Sequence, residues 1–304
     1  MESEEKTNIE VVEVKAEEPQ AEPEMTATPI TDASKEEVET QEVIDVEPVE
    51  VVEEKPKVAE LDIHLNIGKP PSYLKDCLEL LDRLKYDEVT FRFMGGNLRI
   101  FEMDSARVCL VSANFTVGLE ASQDVAFKVK VKPILRVLKI FDNPHMRVEG
   151  NKLIIEDKDI VYPDGKTVTV TPKRYETSVL EPDEDIDIEK MEKNLENLNL
   201  QASGRVDFSK LWKLTKIFSK DSEVDHVRFE CNNLELVASF RGEFEFLRVR
   251  LGQGEGEAKA SYSIHYLKAF RDEWNIKFGT DQPMRLHDHF SGITVYLAPR
   301  IEVD

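Results

Sequence analysis

Cysteine, positive charge and long apolar runs are all scarce in this chain, and each scarcity removes a class of protein. The three cysteines, Cys77, Cys109 and Cys231, are odd in number, widely spaced and set among apolar residues. That pattern supports neither a disulfide framework nor a thiolate metal site, and it fits a reducing compartment. No apolar run approaches the roughly 18 residues of a membrane span. The N-terminus is acidic where a secretory signal would be basic and then apolar. A soluble, non-secreted protein without membrane contact is expected.

Catalytic signatures are missing too. There is no nucleophile elbow and no paired catalytic motif. Gly252-Gln253-Gly254-Glu255-Gly256 lacks both the dinucleotide spacing and the lysine of a phosphate loop, and it reads as a flexible hairpin turn. In His287-Asp288-His289, strand alternation would send both histidines to one face, with no third or fourth ligand at a recognisable spacing. A metal-dependent enzyme therefore has little support. No catalytic residue, metal or cofactor is expected.

Lys and Arg number 40 against 61 Asp and Glu, a net charge of −21. The excess is uneven: residues 1–58 hold 19 acidic and 5 basic residues, leaving a net of −7 for the rest. That first stretch, rich in Glu, Val and Pro without apolar periodicity, cannot bury enough surface to offset chain entropy, so a disordered acidic tail is expected over 1–58.

What is present after the tail is one plan written twice. Tyr73, Cys77, Leu80, Leu81 and Leu84 share one face of a helix over 72–85, and Val89 to Phe93 then alternate at strand period. A Gly95-Gly96-Asn97 turn leads into a second strand. The same order recurs as a helix over 208–219, a strand over 227–230, a turn at Asn232-Asn233 and a strand over 234–237. Each unit closes alike, with a strand running into a helix and then further strands. In the first unit these are 127–131, a helix over 133–141 opened by Pro133, 146–148 and 153–155. In the second they are 260–264, a helix over 266–274, 276–278, 284–287 and 294–297. The sequence thus predicts an α+β fold of two tandem units, each with two helices on a largely antiparallel sheet, with domains at 59–179 and 202–304. The acidic connector 180–201 has short helical character near 189–196. Strands at 168–170 or 175–179, and at 244–250, are candidate edges for joining neighbouring sheets.

Two of the helices segregate charge. Lys210, Lys213, Lys216 and Lys220 oppose an apolar face of Leu211, Leu214, Thr215 and Phe218, and Lys132, Arg136 and Lys139 oppose Ile134, Leu138 and Phe141. Neither helix has an acidic residue between its ends, which in an acidic chain marks a local positive surface for phosphates. The helix near Lys75 mixes in Asp76, Glu79 and Asp82, and the last helix has Lys268 and Arg271 followed by Asp272 and Glu273. No recognition helix or aromatic-interleaved basic strand reads bases, so contacts would be to backbone phosphates without sequence preference.

Two separated signatures carry a family resemblance: Met103-Asp104-Ser105-Ala106-Arg107-Val108-Cys109-Leu110 and Tyr296-Leu297-Ala298-Pro299-Arg300-Ile301-Glu302. Together they resemble the sliding clamps of archaea and eukaryotes, the family of proliferating cell nuclear antigen, over roughly residues 60–304. The resemblance implies the DNA clamp fold, three chains closing head to tail into a ring, and an inner wall of helices facing duplex DNA. Lys75, Arg136, Lys210 and Lys213 fall on pore positions that are usually basic in the family, whereas Asp76 and Asp82 stand where many members have lysine. The DNA-facing candidates on the pore helices are Lys75, Lys132, Arg136, Lys139, Lys210, Lys213, Lys216, Lys220, Lys268 and Arg271. It also implies a pocket for DNA polymerase, clamp loader and other clients bearing a clamp-interacting peptide, at Met103, Val108, Leu110, Pro283, Tyr296, Ala298, Pro299 and Ile301. The implied setting is intracellular: cytoplasm or nucleoid if archaeal, nucleus if eukaryotic. A heterotrimer in place of a homotrimer stays open, as does a non-encircling scaffold that keeps the client pocket.

Overall fold

The computed structural model describes residues 63–117, 124–182, 187–217, 224–243 and 245–301. The acidic tail over 1–58 and Lys220 lie outside them. The first unit runs β1 (Ile63–Gly68), α1 (Leu74–Arg83), β2 (Glu88–Met94), β3 (Asn97–Met103), β4 (Cys109–Thr116), β5 (Val125–Lys130), α2 (Val131–Ile140), β6 (Pro144–Gly150), β7 (Lys152–Asp157), β8 (Ile160–Val161), β9 (Thr167–Val168) and β10 (Arg174–Ser178). The connector contributes α3 (Ile188–Glu196). The second unit runs β11 (Ala202–Asp207), α4 (Phe208–Leu214), a 3-10 turn (Thr215–Ile217), β12 (His226–Asn232), β13 (Glu235–Arg241), β14 (Phe246–Glu255), β15 (Glu257–Ser263), α5 (Ile264–Leu267), β16 (Glu273–Phe278), β17 (Met284–His287) and β18 (Thr294–Leu297).

Apart from β8 and β9, the two units have the same element order, and their sheets match. One four-stranded order, β1-β6-β7-β10, recurs as β11-β16-β17-β18, and the other, β5-β2-β3-β4, recurs as β15-β12-β13-β14. The last strand of the second unit pairs with β4 of the first, from Thr294↔Ser112 to Leu297↔Cys109, so a single sheet of 12 strands crosses both.

Local chemistry sets the elements. Helix α1 buries Leu74, Cys77, Leu78, Leu80 and Leu81 on one stripe. It stops where Lys85 turns left-handed at φ 69°. There the Lys85 and Tyr86 amides donate to the Asp82 and Leu81 carbonyls at 3.2 and 3.0 Å, a Schellman closure made without glycine. Helix α2 starts two residues earlier than expected, placing Pro133 third in the helix. Its missing N–H still has no helical partner there. The Asp187 and Asp207 carboxylates cap α3 and α4, accepting from the Lys190 and Lys210 amides at 2.9 Å each.

Three expectations are corrected. The last helix is a single turn, Ile264–Leu267, not 266–274. Phe270 and Trp274 instead pack edge to face at 5.0 Å, Phe270 also meets Phe208 at 5.5 Å, and Asp272 reverses the chain at φ 57°. Gly252 and Gly254 belong to β14 and are not in a turn. Neighbouring chain crowds the glycines here: a Cβ on Gly254 would stand 2.5 Å from the sulfur of Cys231 on β12, and one on Gly256 would stand 1.9 Å from the Gln201 carbonyl just before β11. Helix α4 ends at Leu214, and Phe218 lies outside the described residues. Of the candidate edges, β10 is the edge of its four-stranded sheet, and β9 pairs only with β8 in a two-stranded hairpin. β14 is bonded to β13 along its length but to β11 only at Glu255 and Gly254, leaving its first part open on that side.

Candidate nucleic-acid interface and docking surface

Strand register lines up one row of side chains across the junction of the two units. Met103 pairs with Leu110, Leu110 with Tyr296, and Tyr296 with Arg285. Directly opposed antiparallel residues point to the same face, so these four form a strip. Their neighbours Val111, Val295 and Leu286 point the other way and are fully buried. Leu110 and Phe101 are also buried, at 4% and 0% exposure, yet they lie on the strip's face and do not join the continuous core.

The loop between β3 and β4 is organised by Asp104. One carboxylate oxygen accepts the Val108 and Cys109 amides at 2.7 and 2.8 Å, and the other accepts the Tyr266 hydroxyl at 2.5 Å. Burial, and then this bond, push the Tyr266 hydroxyl above its ordinary range. The Val108 carbonyl in turn accepts the Ala298 amide at 2.8 Å, so the two sequence signatures meet in space. Pro283 precedes Met284, which pairs with Leu297 beside Ala298 and Pro299. Ile301 departs from this group. Arg300 is ion-paired with Asp225 and donates its amide to Ser261 at 2.7 Å, and Ile301 beyond it is 79% exposed.

The connector helix lies on the same face. Glu192 of α3 forms an ion pair with Arg99, two residues from Phe101 along β3. Burial raises the Tyr296 hydroxyl; Arg285 opposes that shift, while Glu196 and Glu192 add to it. Ile188, Met191 and Leu195 of α3 are half-buried and none of its residues is fully buried.

The cations expected to face phosphate are all solvent-exposed where they are described: Lys75, Lys132, Arg136, Lys139, Lys210, Lys213, Lys216, Lys268 and Arg271. They are not equally available. Lys139 of α2 is paired with Glu79 of the neighbouring α1 at 3.0 Å, and Lys210 with its own cap Asp207 at 3.2 Å. Arg271 donates to the Lys268 and Phe270 carbonyls. Among the described residues, Lys75, Lys132, Arg136, Lys213, Lys216 and Lys268 make no ion pair. The Asp76 carboxyl is pushed up by burial and then by Glu79, which places unfavourable negative charge on α1.

The histidine pair is separated. His287 ends β17 and its Nδ1 lies 3.0 Å from the Thr294 hydroxyl, whereas His289 sits in the turn beyond. No group of three or more potential ligands gathers among the described residues. The three cysteines are free and buried, and burial pushes Cys77 and Cys109 up to about 12. A cleft of about 1230 Å³ opens beside β14 where its pairing with β11 stops, lined by Lys210, Leu214, Arg250, Lys277 and Arg285 among others. No helix among the described residues is long and apolar enough to cross a membrane. Sequence reasoning missed Phe101, Arg99 and Tyr266. Tyr266 has no local signal, since its partner lies 162 residues away.

A duplicated α+β unit joined through a shared sheet, with helices carrying exposed cations, is the DNA clamp fold. Solved structures similar to this chain include PCNA from Thermococcus kodakaraensis, with a TM-score of 0.60 and 20% identity over 78% of this chain and 99% of that one. Another is the proliferating cellular nuclear antigen of Entamoeba histolytica, with a TM-score of 0.59 and 18% identity over 79% of this chain and 100% of that one. No family model matches the sequence, and no curated protein matches it.

Proposed function

We propose that this protein is a subunit of a sliding clamp: three chains, each with domains at 59–179 and 202–304 joined by the 180–201 connector, close head to tail around duplex DNA. The carrying observation is the β18–β4 junction. In the first unit β10 holds the place of β18, and in the second unit β14 holds the place of β4. Both have open edges, so pairing β10 of one chain with β14 of the next repeats the internal junction. A repeated heterologous contact closes a ring when its rotation closes.

The mechanism is topological. Enclosing the duplex tethers a DNA polymerase or other client and raises its effective concentration at the primer end, with no catalysis by the ring itself. The exposed helix cations meet phosphates, which carry no sequence information. The strip at Met103, Val108, Leu110, Tyr296 and Ala298 receives a client's short apolar helical turn, and a clamp loader would use the same surface.

One feature favours a second reading. Asp76 and Asp82 interrupt the α1 face and Glu79 takes up Lys139, as a scaffold or a heteromeric subunit would tolerate. Charge reversal at Lys132 and Arg136 decides between them. A clamp retains its solution mass, near three times 34.9 kDa, but loses retention on circular DNA at moderate salt. A scaffold shows no change, and that result would sink the clamp.

A further inference from the structure

The two units differ most at one place. Between β17 and β18 the second unit has only the short segment 288–293, whereas between β7 and β10 the first unit inserts the β8–β9 hairpin. We propose that this hairpin is an arm that grips the next copy of the chain at its α4 helix, an addition to the strand pairing of the ring and one that rests on the ring reading.

The internal junction shows where such a connection goes. Asp288, in the β17–β18 segment, acts on the Asp76 carboxyl of α1, and Arg271 and Asp272 at the corner before β16 act on Arg83 at the other end of α1. The antiparallel pairing of Thr294 with Ser112 carries the segment after β17 alongside the far end of β4, and β4 packs against α1, the first helix of the adjoining unit. In a junction between chains that repeats this arrangement, the connection after β7 lies against α4, the first helix of the neighbour's second unit. That connection is the hairpin.

The hairpin is built as a fixed projection. Ile160 pairs with Val168 and Val161 with Thr167. The Tyr162 amide donates to the Lys166 carbonyl at 2.8 Å, and the Gly165 amide to the Tyr162 carbonyl at 2.9 Å. Its base is tied to the corner after α2 by the Asn143 side chain, which donates to the Lys158 carbonyl at 2.8 Å, and by Lys173, which bridges Asp142 and Asp157. Yet its apolar side chains stand in the open: Val161 is 69% exposed, Tyr162 48% and Val168 48%. A two-stranded hairpin is marginal in water without a surface to pack on, and clustered exposed apolar groups mark interaction sites. The proposed receiver suits it. α4 presents the half-buried apolar side chains Trp212 and Leu214.

The test is the dissociation of the full chain on dilution, followed by light scattering, for wild type and for a triple variant Val161→Ser, Tyr162→Ser, Val168→Ser. The expected result is dissociation at an about tenfold to hundredfold lower stability of the assembly, with the circular dichroism of the chain unchanged. A single Val161→Lys variant weakens assembly in the same direction and guards against misfolding of the triple one. Wild type and both variants dissociating alike would overturn the arm while leaving the ring. A wild-type chain that stays single at every concentration overturns the ring and the arm together.

Discussion

Replacing Tyr266 by Phe removes one oxygen and tests the link between the Asp104 loop and the second unit. That hydroxyl reaches Asp104 at 2.5 Å, and the other oxygen of the carboxylate already holds the Val108 and Cys109 amides. A hydrogen bond to a charged group contributes about 1.5–3 kcal/mol. Asp104 is half-buried, so water partly replaces the lost donor and the lower end, about 1.5 kcal/mol, is expected. For a folded unit of this size that lowers Tm by about 3–6 °C. Asp104→Ala also frees two amides and costs more. The double variant should cost less than the two single losses together, because both remove the same bond.

The pH dependence supplies an independent sign. The folded state holds the Tyr266 proton above the ordinary 10.0 of a free tyrosine, first through burial and then through Asp104. The unfolded chain releases that proton sooner, so the wild type loses stability as pH rises past 10, a loss the Phe variant does not share. Thermal melts from pH 7 to 11 should show the gap between wild type and Tyr266→Phe narrowing above pH 10. A constant gap, together with strictly additive Tyr266→Phe and Asp104→Ala effects, would refute the bond and the link it makes between the units.

Two further outcomes are expected. Arg99 and Glu192 are partly exposed, so their ion pair is worth about 0.2–1 kcal/mol. Arg99→Glu should loosen α3 over the strip and tighten binding of a short helical client peptide by up to about fivefold, with the swap Arg99→Glu, Glu192→Arg restoring it; weaker binding in the single variant would show that α3 is a wall of the pocket and not its occupant. Burial raises Glu102 above its ordinary range, so its charge opposes folding at neutral pH. Glu102→Gln keeps an acceptor for the Thr90 amide. Denaturant melts should show it more stable than wild type at pH 7, a gain that fades as acid protonates the native Glu102; no gain at pH 7 would count against this account.

What was legible in the sequence was local. The Gly95-Gly96 turn, with φ of 54° and 77°, and the single apolar stripe of α1 follow from neighbouring residues alone. The repeat was legible because both units spell the same order of periods. The α5 region differs from its sequence reading because Phe270 and Trp274 fit a helical stripe, whereas Phe270 packs on Phe208, some sixty residues earlier in the chain, and Trp274 packs on Phe270. Gly252 and Gly254 carry turn chemistry, and only the fold shows them within a strand, where Gly252 holds φ 154° and a Cβ on Gly254 would meet the Cys231 sulfur. Of the proposed docking strip, Met103, Val108, Leu110, Tyr296 and Ala298 follow from the two signatures. Phe101 and Arg99 do not, since their role depends on α3 lying over β3.

The uneven charge on the helices fits what the proposed enclosure would demand. A protein that holds DNA by affinity needs many unpaired cations, because each phosphate neutralised steepens the salt dependence of binding. A ring that holds duplex by closure needs the opposite: enough positive charge to admit the polyanion, and too little to pin it at one place. Lys139 neutralised by Glu79, Lys210 by Asp207, and Asp76 set into α1 all lower the density of free cations without removing the basic faces of α2 and α4. In the proposed ring, grip then falls to contacts between chains, for which the open edges of β10 and β14 and the exposed Val161, Tyr162 and Val168 are the candidates. The same division would let a chain with a net charge of −21 act on a nucleic acid: most of that charge, −14, lies in residues 1–58, and the proposed ring does not ask the remainder for binding strength.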